Sequence, residues 1–200
     1  MQRITLLLGL CLLTLACASD DTSNPPPPDV TTSVRNQPGN VVSEDVVTVS
    51  AVVEAIDHET RMVTLRDSDG EKVTFRVGEA ARNLSQVQKG DLVDATYYQS
   101  VAVQLRKPGE ATPGVSAAAG ATRAEVGAPP GAAGAQSVTV VSTIRALDRQ
   151  AGTATLEGPD GGLTTINVRN PAHFDVAKVG DLVEITYTEA IAISVDKKQR

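Results

Sequence analysis

"KGDLVDATYY" occupies residues 89–98 and "VGDLVEITYT" occupies residues 179–188. A Gly-Asp pair followed by alternating apolar side chains marks a tight turn feeding a β-strand. Gly accepts left-handed backbone, and an adjacent Asp caps such a turn through its carboxylate. The likeness extends to both sides. With Asp57 placed on Asp148, Val47, Thr48, Val49, Ala55, Thr64, Leu65, Asp69, Gly70, Thr74 and Val77 fall on identical residues ninety-one positions later. With one residue removed from the loop that follows, Gly90, Asp91, Leu92, Val93, Thr96, Tyr97 and Ala102 fall on identical residues ninety positions later. So many identities at a fixed offset, with one gap, are the mark of an internal duplication.

Each copy carries strand signals in one order. Val47, Val49, Ala51, Val53 and Ala55 alternate onto one face of a first strand. "MVTLRD" (62–67) and "TATLEG" (153–158) follow, then the Asp-Gly turns "DSDGE" and "GPDGG", then "KVTFRV" (72–77) and "LTTINV" (163–168). A longer loop, 78–89 or 169–179, leads to the fourth strand, where Val93, Ala95 and Tyr97, or Val183, Ile185 and Tyr187, point inward. "SVAVQL" (100–105) and "AIAISV" (190–195) complete five strands. The pattern predicts an all-β chain: two tandem five-stranded small barrels, OB-like or SH3-like, at 45–106 and 137–196, each with its own interior. Domains of about sixty residues bury little core, so docking of one on the other would add stability. The Ala/Gly/Pro-rich stretch 107–136 reads as a linker and 197–200 as a tail.

The chain begins "MQRITLLLGLCLLTLACAS". A basic start precedes thirteen apolar residues, Ile4–Ala16. A membrane-spanning helix needs about twenty, so residues 1–16 read as a signal peptide. Ala16-Cys17-Ala18 fits cleavage after Ala18, which releases a soluble periplasmic protein. "LTLAC" resembles a bacterial lipobox, which implies cleavage before Cys17, diacylation of its thiol with palmitate-like chains, and acylation of the new amino terminus. Each buried methylene contributes about 0.8 kcal/mol, and two acyl signals hold a protein stably on a membrane. Ala18 after the cysteine implies the outer membrane, with the protein facing the periplasm. Residues 17–44, with Pro25–Pro28, then form a lipid-anchored, disordered tether.

Eighteen Lys and Arg stand against twenty-four Asp and Glu, a net charge of −6. Phosphate backbones are held mainly by Lys and Arg, so nucleic acid is not expected as a partner. Five aromatic residues without Trp make a poor stacking platform. Both cysteines, Cys11 and Cys17, lie in the N-terminal segment, so no disulfide framework serves the body of the protein. None of the HExxH, Walker A, G-x-S-x-G or Cys-His patterns occurs, so no enzyme and no cofactor is expected. Asp57, Asp69, Asp91 and their partners Asp148, Asp160 and Asp181 repeat at turns and read as turn chemistry. Asp67, Asp69 and Glu71 would hold calcium weakly, and the second copy lacks that set.

The pattern "V…AID…VTL…G…F.V…L…V.KGDLV" resembles the small periplasmic copper-binding OB barrels of the CusF type, over each copy separately. That family binds Cu(I) through one His, two Met and a packed Trp, soft donors suited to the ion. Only His58 and Met62 stand as weak metal candidates here, and no metal is expected. Tyr98 reads as an exposed contact residue, beside the inward pair Tyr97 and Tyr187. The expected function is a non-catalytic envelope module that binds or scaffolds another envelope protein. Periplasmic copper handling and carbohydrate binding are the alternatives.

Overall fold

The computed structural model describes residues 24–197. The expected signal peptide, Cys17 and the first residues of the tether lie outside the described residues, as does the end of the tail.

The strands are β1 (Asp29–Gln37), β2 (Asn40–Asp57), β3 (Met62–Arg66), β4 (Lys72–Arg76), β5 (Leu92–Arg106), β6 (Gly114–Arg123), β7 (Gly131–Asp148), β8 (Thr153–Glu157), β9 (Leu163–Asn167) and β10 (Leu182–Asp196). One 3-10 turn, Leu84–Gln86, and one short helix, α1 (His173–Val176), interrupt them. The chain is all-β, as the alternation predicts, but the expected pair of closed barrels is not what forms. All ten strands join one antiparallel sheet that does not close. Six of them lie side by side as β1-β2-β5-β10-β7-β6. β3 and β4 continue from the far end of β2, and β8 and β9 from the far end of β7.

The structure differs from the sequence expectations in three places. First, the expected fourth and fifth strands are one continuous strand of 15 residues, in β5 and again in β10. Nothing between Tyr97 and Val101 breaks a strand, since "YYQSV" contains neither Gly nor Pro. Second, residues 29–37 of the expected tether pair with β2 as β1. Their hairpin turns on Pro38-Gly39, with Gly39 at φ +76, the positive φ that the second place of a Pro-Gly turn requires. Third, the expected linker 107–136 contains β6 and the start of β7, paired from Gly114↔Val141 to Arg123↔Ala132. Small side chains hide a strand whose backbone is nevertheless fully laddered.

The register is pinned by repeated threonines. Thr48 bonds Thr96, Thr139 bonds Thr186, Thr64 bonds Thr74 and Thr155 bonds Thr165, all directly across strand pairs. β2 bulges between Val53 and Ala55, and β7 between Ile144 and Ala146. A bulge shifts the alternation by one residue. Val53 is therefore fully buried, Ala55 faces solvent against expectation, and Ile56 packs on the core instead.

The interiors are shared rather than private. Val53, Val63 and Val87 of the first half bury Val195, which comes from β10. Ile144, Leu156 and Val183 of the second half pack against Val103 and Leu105, which come from β5. Because β5 and β10 run straight on, each delivers its second half to the other core. Each side chain so buried contributes about 1.5–3 kcal/mol.

Candidate functional site

The two Gly-Asp phrases form matching turns that join the halves. Gly90 and Gly180 have φ +93 and +95, in the left-handed region expected for them. Asp91 Oδ2 accepts the Gln88 backbone N–H at 2.9 Å, and Asp181 Oδ2 accepts that of Lys178 at 3.0 Å, so both cap as expected. Each carboxylate also meets an ammonium from the opposite half. Lys197 lies 2.9 Å from Asp91, and Lys107 lies 2.8 Å from Asp181. Both aspartates are buried. The other repeated acids also serve turns. Asp57 accepts the N–H groups of Glu59 and Thr60, and Asp148 those of Gln150 and Ala151.

The middle of the sheet presents a different surface. β5 and β10 pair so that Gln99 faces Glu189, its own counterpart ninety positions later, and a pseudo-twofold axis passes between them. Across β2, β5, β10 and β7 the register sets out a polar row, Asp45–Gln99–Glu189–Gln136. One side of it carries the row Val47–Tyr97–Ile191–Gly134, the other Ser43–Val101–Tyr187–Val138. These rows lie on the face that carries both cores, since alternate residues of a strand share a face. The cores cover the two ends of that face and leave its middle open. Val49, Tyr97, Val101, Val138, Ile191 and Ile193 are all exposed there, Ile191 to 50%.

Glu189 organises the polar row. Its Oε1 accepts the hydroxyls of Tyr97, at 3.0 Å, and of Tyr187, while Oε2 accepts the Gln136 amide at 2.8 Å. Gln99 donates to the Tyr187 oxygen at 3.0 Å. The Tyr187 hydroxyl, first, with the Gln136 amide and Tyr97, holds the Glu189 carboxyl below its ordinary range. In return the hydrogen bond to Glu189, helped by desolvation, pushes Tyr187 up to about 12 and raises Tyr97 as well. Such a cluster is a set of fixed hydrogen-bond donors and acceptors around one charge.

A cavity of about 270 Å³ opens at the other end of the second half, between β7, β8, β9 and α1. Leu105, Ile144, Leu156, Phe174 and Val183 line its interior, and Asn36, Arg169, Asn170 and His173 stand among its lining residues. His173 Nδ1 accepts the Gly39 N–H at 3.0 Å, and Asn170 donates to Asn36 Oδ1 at 3.1 Å. The β1–β2 hairpin of the first half thus forms part of the wall.

His58 lies exposed in the turn after β2, and Met62 exposed at the start of β3. Among the described residues no three His, Cys, Asp or Glu side chains gather into a metal-holding group. Tyr98, expected exposed, is half-buried on the opposite face and donates to Glu44 at 3.1 Å. Tyr97, expected inward and half-buried, is the more exposed of the two neighbours. The sequence pattern singles out the matched tyrosines but not Glu189. The signal for it was that the aligned copies put this acid opposite its amide, Gln99, in the middle of the fourth and fifth strand pattern. Cys17 lies outside the described residues. Compared with protein-family models, with curated proteins and with solved structures, the chain matches none.

Proposed function

We propose that this chain is an exported, lipid-anchored, non-catalytic module of the bacterial envelope that docks another envelope protein on the middle of its sheet. In this reading the two halves descend from one OB-like module, and each has exchanged its last strand with the other. Cys17 carries the anchor, and the outer membrane is its address. One observation carries the docking assignment: the core-facing side of the sheet is covered at both ends and open in between. Contiguous exposed apolar area of this kind marks interaction surfaces. The central Tyr–Glu–Tyr cluster adds amphipathic aromatics and oriented polar groups, the composition favoured at the centre of protein interfaces.

Two experiments test the proposal. Cys17→Ala moves the protein from the membrane fraction to the soluble periplasm; unchanged membrane association refutes the anchor. A photo-crosslinking residue at Ile191 captures one defined envelope protein in cells, and Val101→Glu abolishes that capture while the protein stays folded. Capture from Thr96, on the opposite face, with none from Ile191, refutes the docking face.

A further inference from the structure

We infer that the cavity of the second half binds a small amphiphile, with its apolar part inside and an anionic headgroup at Arg169. The site lies at the end of the sheet and is separate from the open middle proposed for protein docking. Four observations lead to it.

The lining is apolar and large enough. A cavity of about 150 Å³ lined by aliphatic and aromatic side chains already takes up a benzene-sized molecule, and this one measures about 270 Å³. It also sits where the sequence duplication provides an internal control. Ala154 and Ala177 line the cavity, and their counterparts in the first half are Val63 and Val87, which are buried and fill that core. At a third position Ile166 replaces Phe75, while Phe174 replaces Leu84 in the opposite sense. The scaffold therefore accepts the larger side chains, and the second half does without them.

The polar groups gather on one side. Arg169, an exposed residue among those that line the cavity, makes no side-chain ion pair or hydrogen bond with another described residue. The two basic residues that reach α1 are already engaged: Arg149, on the Phe174 carbonyl, pairs with Asp175, and Lys107, on the Val176 carbonyl, pairs with Asp181. His173 uses Nδ1 to accept from Gly39, so in the neutral ring the hydrogen sits on Nε2, which is then a donor. An unpaired guanidinium and an imidazole donor suit a carboxylate or another small anion. An apolar interior with a few convergent polar groups is the usual form of a small-molecule site.

The probes are octanoate and its neutral counterpart 1-octanol, titrated calorimetrically into the full-length mature protein and followed by methyl NMR. Octanoate is expected to saturate a single site and to shift the methyl signals of Leu105, Ile144, Leu156 and Val183. Ala154→Val/Ala177→Val, which installs the first-half residues, is expected to weaken octanoate by about tenfold or more with the melting temperature unchanged or raised. Arg169→Gln is expected to weaken octanoate about tenfold and leave 1-octanol nearly unchanged. Should the double variant fail to fold, Ile166→Phe narrows the cavity from its rim and serves in its place. The inference is overturned if octanoate does not saturate the wild-type protein, or if the shifted methyls lie elsewhere. It is equally overturned if the filled variant binds as tightly as wild type, or if Arg169→Gln affects octanoate and 1-octanol alike.

Discussion

Glu189 stands on the pseudo-twofold axis opposite Gln99. Two glutamates there would repel each other across the strand pair, and two glutamines would leave the tyrosine hydroxyls without a charged acceptor. The mixed pair avoids both. Its pH dependence follows from the two shifts. The Glu189 carboxyl is held below its ordinary 4.5, so its contribution is present above the carboxylate range and lost as pH falls through the folded value. Tyr187 moves from 10 to about 12, so its contribution is complete below pH 10 and lost as pH rises from 10 towards 12. In a spectrophotometric titration of the native protein, Tyr187 is expected to ionise near 12, and Glu189→Gln to bring it down towards 10. The Asp–Lys clamps offer a second test. Lys107 is half-exposed, so Lys107→Ala is expected to cost about 1 kcal/mol. Asp181→Ala also loses the cap on Lys178 and is expected to cost about 2 kcal/mol or more, measured by denaturant unfolding.

The turns are where sequence and structure agree best. At Gly180 a Cβ would meet no atom within 4 Å, so the cost of replacing this glycine is that of its left-handed backbone alone. Gly180→Ala is expected to destabilise by about 1–2 kcal/mol and Gly180→Asn by less, measured by the urea midpoint. Gly90, the Asp-Gly hairpins and the repeated threonines were legible for the same reason. Each is a local requirement of backbone or register, written into one or two residues. What escaped was decided by pairing partners far away in sequence. β6 is a strand because β7 lies beside it, and its Ala-rich composition carries no period. β1 did carry a signal, Val30, Thr32 and Val34 ahead of Pro38-Gly39, which the neighbouring prolines obscured. The joining of the fourth and fifth strands shows only as the lack of a turn residue. The cavity was legible in outline, because aligning the copies sets Ala154 against Val63 and Ala177 against Val87. No single copy reveals it.

For the molecule as a whole, reciprocal cores mean that neither half owns its stability. Val195 belongs to β10 yet is buried among Val53, Val63 and Val87. Val195→Ala removes two methylene equivalents from that core and is expected to cost about 2 kcal/mol. Its effect is expected in the first half, as faster hydrogen exchange at the Val53 and Val63 amides. The same linkage predicts one cooperative unfolding transition for the full chain, with calorimetric and van't Hoff enthalpies in agreement. Two separate transitions, one for each half, would contradict the shared interiors.

The β5–β10 pairing has one more consequence. Its register sets Gln99 on its own counterpart, Glu189, at the axis, and β10 of another molecule offers β5 the same ladder as β10 of its own chain. Only the short connection at residues 107–113 favours the intramolecular partner, and a tether of that length acts like a local concentration in the millimolar range. Once molecules are crowded beyond that level, halves are free to trade between chains. Exchanged dimers and longer open chains then form without a single new kind of contact.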